Sequence, residues 1–126
     1  MKNTMIYVWT ILGLVILSTV AEMTSYPLFR APAPAGFGTK EVVILFLLKI
    51  LFDSDFILMF RLSRGSKLAE NGPLYGLLWF LGFSVPSEVG FWLVFKYKVA
   101  IVYAGLLSGL VTFPLKGWIV KKIKLP

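Results

Sequence analysis

Four long apolar segments, separated by shorter polar stretches, dominate the sequence of this 126-residue chain. Each segment holds about 20 residues, and a helix that rises about 1.5 Å per residue then covers the ~30 Å hydrocarbon layer of a bilayer. The pattern predicts an all-α membrane protein, a four-transmembrane-helix bundle that forms one integral membrane domain over residues 1–126. The predicted helices are about residues 5–23, 42–60, 74–95 and 99–120.

Composition supports this interpretation. Hydrophobic residues make up 58% of the chain, and the mean hydropathy is +0.83, whereas soluble domains contain about 45–50% apolar residues. The first segment also fits a secretory signal peptide, with Lys2 ahead of the apolar run and a possible cleavage site after Ala21. Its length favours a retained span instead. We expect an integral membrane protein of the cell (inner) membrane.

Basic residues near the segment ends predict the orientation, because cytoplasmic loops carry an excess of lysine and arginine. One predicted side carries eight such residues and the other carries four. The eight are Lys2, Arg61, Arg64, Lys67, Lys116, Lys121, Lys122 and Lys124, and the four are Arg30, Lys40, Lys96 and Lys98. The bias predicts that both termini are cytoplasmic.

The net charge of +7 does not by itself indicate a nucleic-acid-binding protein. The basic residues flank apolar segments, where ammonium groups set topology and contact anionic headgroups. The C-terminal tail, residues 116–124, combines lysines with Trp118 in this manner. We therefore expect the lipid bilayer and its anionic lipids as partners, and no nucleic acid.

The second segment is the least typical membrane span. Its 19 residues include 15 apolar ones, together with Lys49, Asp53 and Asp55. The apolar residues favour insertion by roughly 4.5–9 kcal/mol, but three central charges cost roughly 7.5–10.5 kcal/mol. Such charges must face protein or water. Lys49 and Asp53 are four residues apart and are expected to pair on one helix face, whereas Asp55 points elsewhere and needs another partner or a bound proton.

The third segment contains a candidate helix break. Ser84, Pro86 and Glu88 lie between Gly82 and Gly90, and Pro86 has no N–H for the carbonyl of Gly82. One interpretation is an ordinary proline kink. The other is a break that lines a ligand site, with Ser84 as the cap of a second half-helix. In both, Glu88 lies near the bilayer centre.

Further candidates lie in the first and last segments. Glu22 is either a hydrated boundary carboxylate or part of an acidic route with Asp55 and Glu88. Gly105 and Gly109 form a G-x-x-x-G strip on which another helix can pack, within the protomer or in an oligomer. The proline- and glycine-rich loop at residues 24–41 is expected to be an extended spacer, with a lid as the alternative.

The residue inventory restricts the chemistry. The chain has no cysteine and no histidine, which removes thiolate and imidazole metal ligands. Nucleotide-binding and hydrolase motifs are missing too. We expect no metal and no cofactor. An enzyme that uses only carboxylates, Lys49 and serines is less favoured than a protein without catalytic activity.

Two functions remain. The first is an oligomeric transporter or channel for a cation or proton-coupled small solute, with Glu22, Asp53, Asp55 and Glu88 along the route. Because four helices rarely enclose a path, this hypothesis needs a homo-oligomer. The second is a structural or accessory subunit of a larger membrane complex, in which partner membrane subunits satisfy the charges.

The orientation can be tested with one cysteine, since the native chain has none. We expect Ala35→Cys, in the first loop, to react with a membrane-impermeant maleimide added outside intact cells. Labelling only after the cytoplasmic face is opened would reverse the assigned orientation.

Overall fold

The computed structural model describes residues 2–31, 38–96 and 98–123, and these are almost entirely helical, with no strand among them. Each of the four predicted segments lies within a helical stretch. In chain order the elements are α1 (Lys2–Leu28), α2 (Thr39–Leu62), the short α3 (Lys67–Glu70), α4 (Gly72–Trp79), a π-helical turn (Phe80–Ser84), α5 (Val85–Phe95) and α6 (Val99–Ile123).

Three helical stretches are long and apolar enough to cross a membrane: residues 2–28, 72–94 and 99–123, with mean hydropathies of 2.0, 1.5 and 1.6. This supports the expected integral membrane protein. Helix α2 has 24 residues and therefore the necessary length. It does not qualify on composition, because any 18-residue stretch within it includes Lys49, Asp53 and Asp55.

Neighbouring long helices run antiparallel. The guanidinium of Arg61 lies 5.7 Å from the ring centre of Tyr7, while Lys49 contacts Glu22, so α2 runs back along α1. Six basic residues consequently gather at one end of the molecule, which we call the basic end. They are Lys2, Arg61, Arg64, Lys67, Lys121 and Lys122.

The candidate break is a π-helical turn in a helix that continues on both sides. The N–H of Val85 donates to the carbonyl of Phe80, five residues back, and Ser84 keeps helical angles of φ −66° and ψ −48° without capping the next helix. The ligand-lining interpretation expected two separate half-helices here. The π-helical turn instead connects them into one helical stretch. The wider turn suits this position because Pro86 cannot donate a normal helical hydrogen bond.

The first loop is shorter than predicted. Helix α1 continues to Leu28, and α2 begins at Thr39 after Glu41 reaches back to accept from the Gly38 N–H at 2.8 Å. The APAPAGF stretch at residues 31–37 lies almost wholly outside the described residues, as does Lys124 in the tail.

Glycines allow α4 and α6 to pack closely at the basic end. A Cβ on Gly76 would overlap the carbonyl of Phe113, and one on Gly72 or Gly117 would overlap the backbone of the other. Further along α6, a Cβ on Gly109 would lie 2.9 Å from the Ser84 hydroxyl oxygen. The α6 glycines therefore form a strip against the preceding helical stretch of the same chain.

An aromatic cluster closes the basic end of the bundle. Phe56 and Phe60 of α2 pack on Tyr75 of α4 with ring centres 4.9 and 5.1 Å apart. The Tyr75 hydroxyl donates to the Phe56 carbonyl at 2.6 Å, so this buried polar group is satisfied. Phe113 of α6 completes the cluster. These contacts fix the C-terminal half of α2.

The N-terminal half of α2 has no such cover. Val42 to Leu48 are seven consecutive exposed residues, and seven residues span nearly two helical turns. Every face of this stretch is therefore uncovered by the described residues. The bundle is packed at its basic end and open on the α2 side at the other.

The glycine contacts predict a specific stability difference. Gly76→Ala should destabilise the protein by about 1–3 kcal/mol, because the new methyl group meets backbone that cannot move aside. The matched control is Gly82→Ala in the same helical stretch, where a Cβ has nothing within 4 Å; it should be neutral or slightly stabilising. Thermal unfolding in detergent measures both, and equal losses would contradict the close packing.

Candidate functional site

A cavity of about 620 Å³ lies among the four long helices. Each helix contributes polar side chains at four-residue spacing, so that they fall on one helix face. These polar stripes are Ser18, Glu22 and Tyr26 on α1; Lys49 and Asp53 on α2; Ser84 and Glu88 on the third stretch; and Ser108, Thr112 and Lys116 on α6. Asp55 and Ser87 add further polar groups to the lining.

The deepest element of the site is an ion pair between α2 and α6. The Lys116 Nζ donates to Asp53 Oδ1 at 2.7 Å, and the exposed fractions of the two side chains are 4% and 1%. The ammonium also lies 5.4 Å from the ring centre of Phe113 and 5.7 Å from that of Phe52. Among the described residues, Asp53 Oδ2 has no hydrogen-bond partner.

A second ion pair joins α1 and α2 one turn away. The Lys49 Nζ lies 2.7 Å from Glu22 Oε2 and 3.2 Å from the Thr19 hydroxyl oxygen. This pair is more accessible, with Glu22 exposed by 41% and Lys49 by 21%. The expected pairing of Lys49 with Asp53 is not what the structure shows. Lys49 pairs with Glu22 on α1, and Asp53 pairs with Lys116 on α6. Helix packing brings these partners closer than Lys49 and Asp53 are to each other along α2.

Glu88 is a carboxylate in the cavity without a basic partner in the described chain. Both of its oxygens lie over the backbone of Gly105, where an added Cβ would be 2.6 and 2.8 Å from them. The absence of a side chain at Gly105 is therefore what makes room for the Glu88 carboxylate. Its own side chain is half-buried, so it is neither sealed in protein nor fully hydrated.

Asp55 lies at the rim of the cavity rather than inside it. It is exposed on α2 although Asp53, two residues earlier, is fully buried. The described residues offer it no ion-pair partner. The two aspartates therefore have different surroundings, as the helical rotation between them requires.

Aromatic side chains form the apolar wall. Phe52 is the centre of this group, with its ring 5.4 Å from that of Trp79 and 4.9 Å from that of Phe83. Trp79 and Phe83 are themselves 6.1 Å apart. The lining of the cavity thus combines a group of aromatic side chains with the charged residues.

The structure brings Glu22, Lys49, Asp53, Asp55 and Glu88 to one cavity. Of the break and packing residues, Ser84, Gly105 and Gly109 also line it, while Gly82, Pro86 and Gly90 do not.

Sequence reasoning missed Lys116, which it assigned to headgroup anchoring. Lys116 is buried, and without it the basic bias is seven to four. The signal that identifies it is its four-residue spacing from Thr112 and Ser108.

The charges in the cavity do not cancel. Four carboxylates face two ammonium groups, and both ammonium groups are engaged in ion pairs. In the described chain, no three acidic side chains approach closely enough to hold a metal ion. The arrangement can therefore attract a cation through Glu88 but does not bring three carboxylates together around one ion.

The buried pair predicts a non-additive mutant cycle. Asp53→Asn or Lys116→Met alone leaves a buried charge unpaired and should cost about 3–5 kcal/mol, whereas the double variant should lose less than either. Unfolding of purified protein in detergent measures all three. The control cycle, Asp53→Asn with Lys49→Met, should be close to additive. If instead the Asp53–Lys49 cycle were non-additive and the Asp53–Lys116 cycle additive, Asp53 would pair with Lys49.

No family model, curated protein or solved structure matches this chain.

Proposed function

We propose that this chain is a small membrane transporter for a cation, with Glu88 as the group that binds it. The observation that carries the proposal is a carboxylate without a basic partner, half-buried in a 620 Å³ cavity at the depth of a membrane span. Ionisable groups at this depth are costly and usually serve a path or a ligand. A bound cation offsets that cost.

The proposal includes four membrane spans with both termini cytoplasmic. Helix α2 is the fourth span, and two of its three charges are neutralised by Glu22 and Lys116. This reduces the insertion cost that the isolated segment would carry. The basic end is then the cytoplasmic end, and the cavity opens beside its exposed lining residues Leu45, Leu48 and Phe83.

Glu88 also offers a simple means of coupling. A single carboxylate holds either a proton or a cation, so binding of one displaces the other. If the site faces each side of the membrane in turn, a cation moving one way exchanges for a proton moving the other. The N-terminal half of α2 can move most readily because few described residues pack on it. We propose that, in a homo-oligomer, a second copy packs on the faces of this half that do not line the cavity.

The alternative function is an accessory subunit, and the same half of α2 favours it. Val42 to Leu48 and the exposed Asp55 form a surface that a different membrane protein could cover and neutralise. The particle mass in mild detergent separates the two hypotheses. A homo-oligomer supports the transporter, and a stoichiometric foreign subunit supports the accessory role.

Glu88→Gln tests the proposed function. It keeps the shape of the side chain but removes the charge, so cation-driven proton flux in proteoliposomes should fall to the level of empty vesicles. Glu70→Gln is the matched control, because Glu70 lies on α3, outside this cavity, and its variant should retain flux.

Each variant is first shown to be monodisperse and to unfold at the wild-type temperature. Undiminished flux in folded Glu88→Gln would remove the basis of the proposal.

A further inference from the structure

We infer that the cation taken by this cavity is a lipophilic organic monocation, such as a quaternary ammonium or phosphonium compound, and not an inorganic ion. The inference rests on the proposed function and narrows it to a substrate class. Five features of the site support it: its volume, its ligand set, its aromatic wall, its charge balance and its opening.

The volume of the cavity and the scatter of its carboxylates favour an organic cation over a bare multivalent metal ion. Metal cations bind through several oxygens at once, commonly six or more for calcium. The described residues do not place three acidic groups together. A volume of about 620 Å³ lies within the range of roughly 300–1,000 Å³ that is typical of pockets for drug-sized molecules. The space is larger than one ion fills and suits an organic body.

The aromatic wall suits an organic cation. Phe52, Trp79 and Phe83 line the cavity and contact one another, and Glu88 supplies a negative charge in the same lining. Aromatic faces attract cations that have shed much of their water, most strongly at tryptophan. The site already uses this chemistry internally, since the Lys116 ammonium lies against Phe113 and Phe52.

The charge balance specifies a single positive charge. The Glu22–Lys49 and Asp53–Lys116 pairs each neutralise themselves. Two lining carboxylates then remain without a basic partner in the described chain, the exposed Asp55 and the half-buried Glu88. Asp55 is accessible from outside the protein, so Glu88 is the carboxylate whose charge a ligand inside the cavity neutralises. One unpaired carboxylate balances a monocation and would leave a dication half neutralised.

The opening gives a lipophilic ligand a route. Leu45, Leu48 and Phe83 line the cavity, yet they remain 44%, 54% and 48% exposed. They therefore stand at an apolar opening beside the uncovered half of α2. In the proposed membrane arrangement this opening faces the lipid, where a lipophilic cation concentrates and a hydrated inorganic ion does not.

Tetraphenylphosphonium is a direct probe of this site. Binding to the full-length protein in detergent is measured by equilibrium dialysis, with protein-free micelles subtracted. Tetraphenylborate, which has the same shape and the opposite charge, is the ligand control. We expect saturable phosphonium binding and none for the borate. Glu88→Gln should weaken phosphonium binding at least about tenfold, and Glu70→Gln should leave it unchanged.

Two further measurements distinguish phosphonium binding at this site from non-specific partitioning of the probe into detergent. Phe83→Leu keeps an apolar side chain but removes a ring, and it should weaken phosphonium binding several-fold while Glu88 is intact. Excess sodium or potassium should not displace the probe. Equal binding by wild type and Glu88→Gln, or equal binding of the borate, would overturn the inference. So would displacement by phosphatidylethanolamine at equal concentration, which would identify a lipid as the occupant.

Failure of the inference and failure of the proposed function have different signatures. Glu88-dependent flux of protons or inorganic cations without phosphonium binding would overturn the substrate class and leave the transporter standing. Glu88-dependent phosphonium binding without any flux would support the site and refute transport. Thermal unfolding of every variant is measured alongside, so that loss of binding is not confused with loss of fold.

Discussion

The buried ion pair between Asp53 and Lys116 is the constraint on which the rest of this structure depends. Two opposite charges on different helices, each almost inaccessible, stabilise the fold only while they remain together. Their contact fixes which face of α2 turns inward and sets its height against α6. Lys49 then lies on the same inward face one turn away, where it meets Glu22. The polar interior follows from these two contacts.

The bundle is asymmetric along its length because α2 is closely packed at only one of its ends. Gly72, Gly76 and Gly117 let α4 and α6 approach with their backbones in contact, and the aromatic cluster around Tyr75 holds α2 against them. The other half of α2 has no comparable contacts in the described chain. A cavity results where the helices separate, immediately beyond the buried ion pair.

Charge pairing gives the cavity residues different tasks. Asp53, Lys116, Glu22 and Lys49 neutralise one another and stabilise the position of α2. Glu88 remains as a cavity carboxylate that lies over the backbone of Gly105 and has no basic partner in the described chain. A site of this kind combines a carboxylate with aromatic side chains, and the proposed binding of an organic cation rests on this combination.

The sequence by itself determined the helical class and the position of the apolar segments, because segment length and hydropathy are local properties. It also marked Lys49, Asp53 and Glu88, since charges stand out among apolar neighbours. Only the tertiary structure decided their partners: a pairing depends on which helix faces lie together, and Lys116 is adjacent to Asp53 in space although 63 residues separate them. The π-helical turn was likewise beyond local reasoning, because Pro86 by itself permits either a break or a wider turn, and only the folded helix shows which one forms.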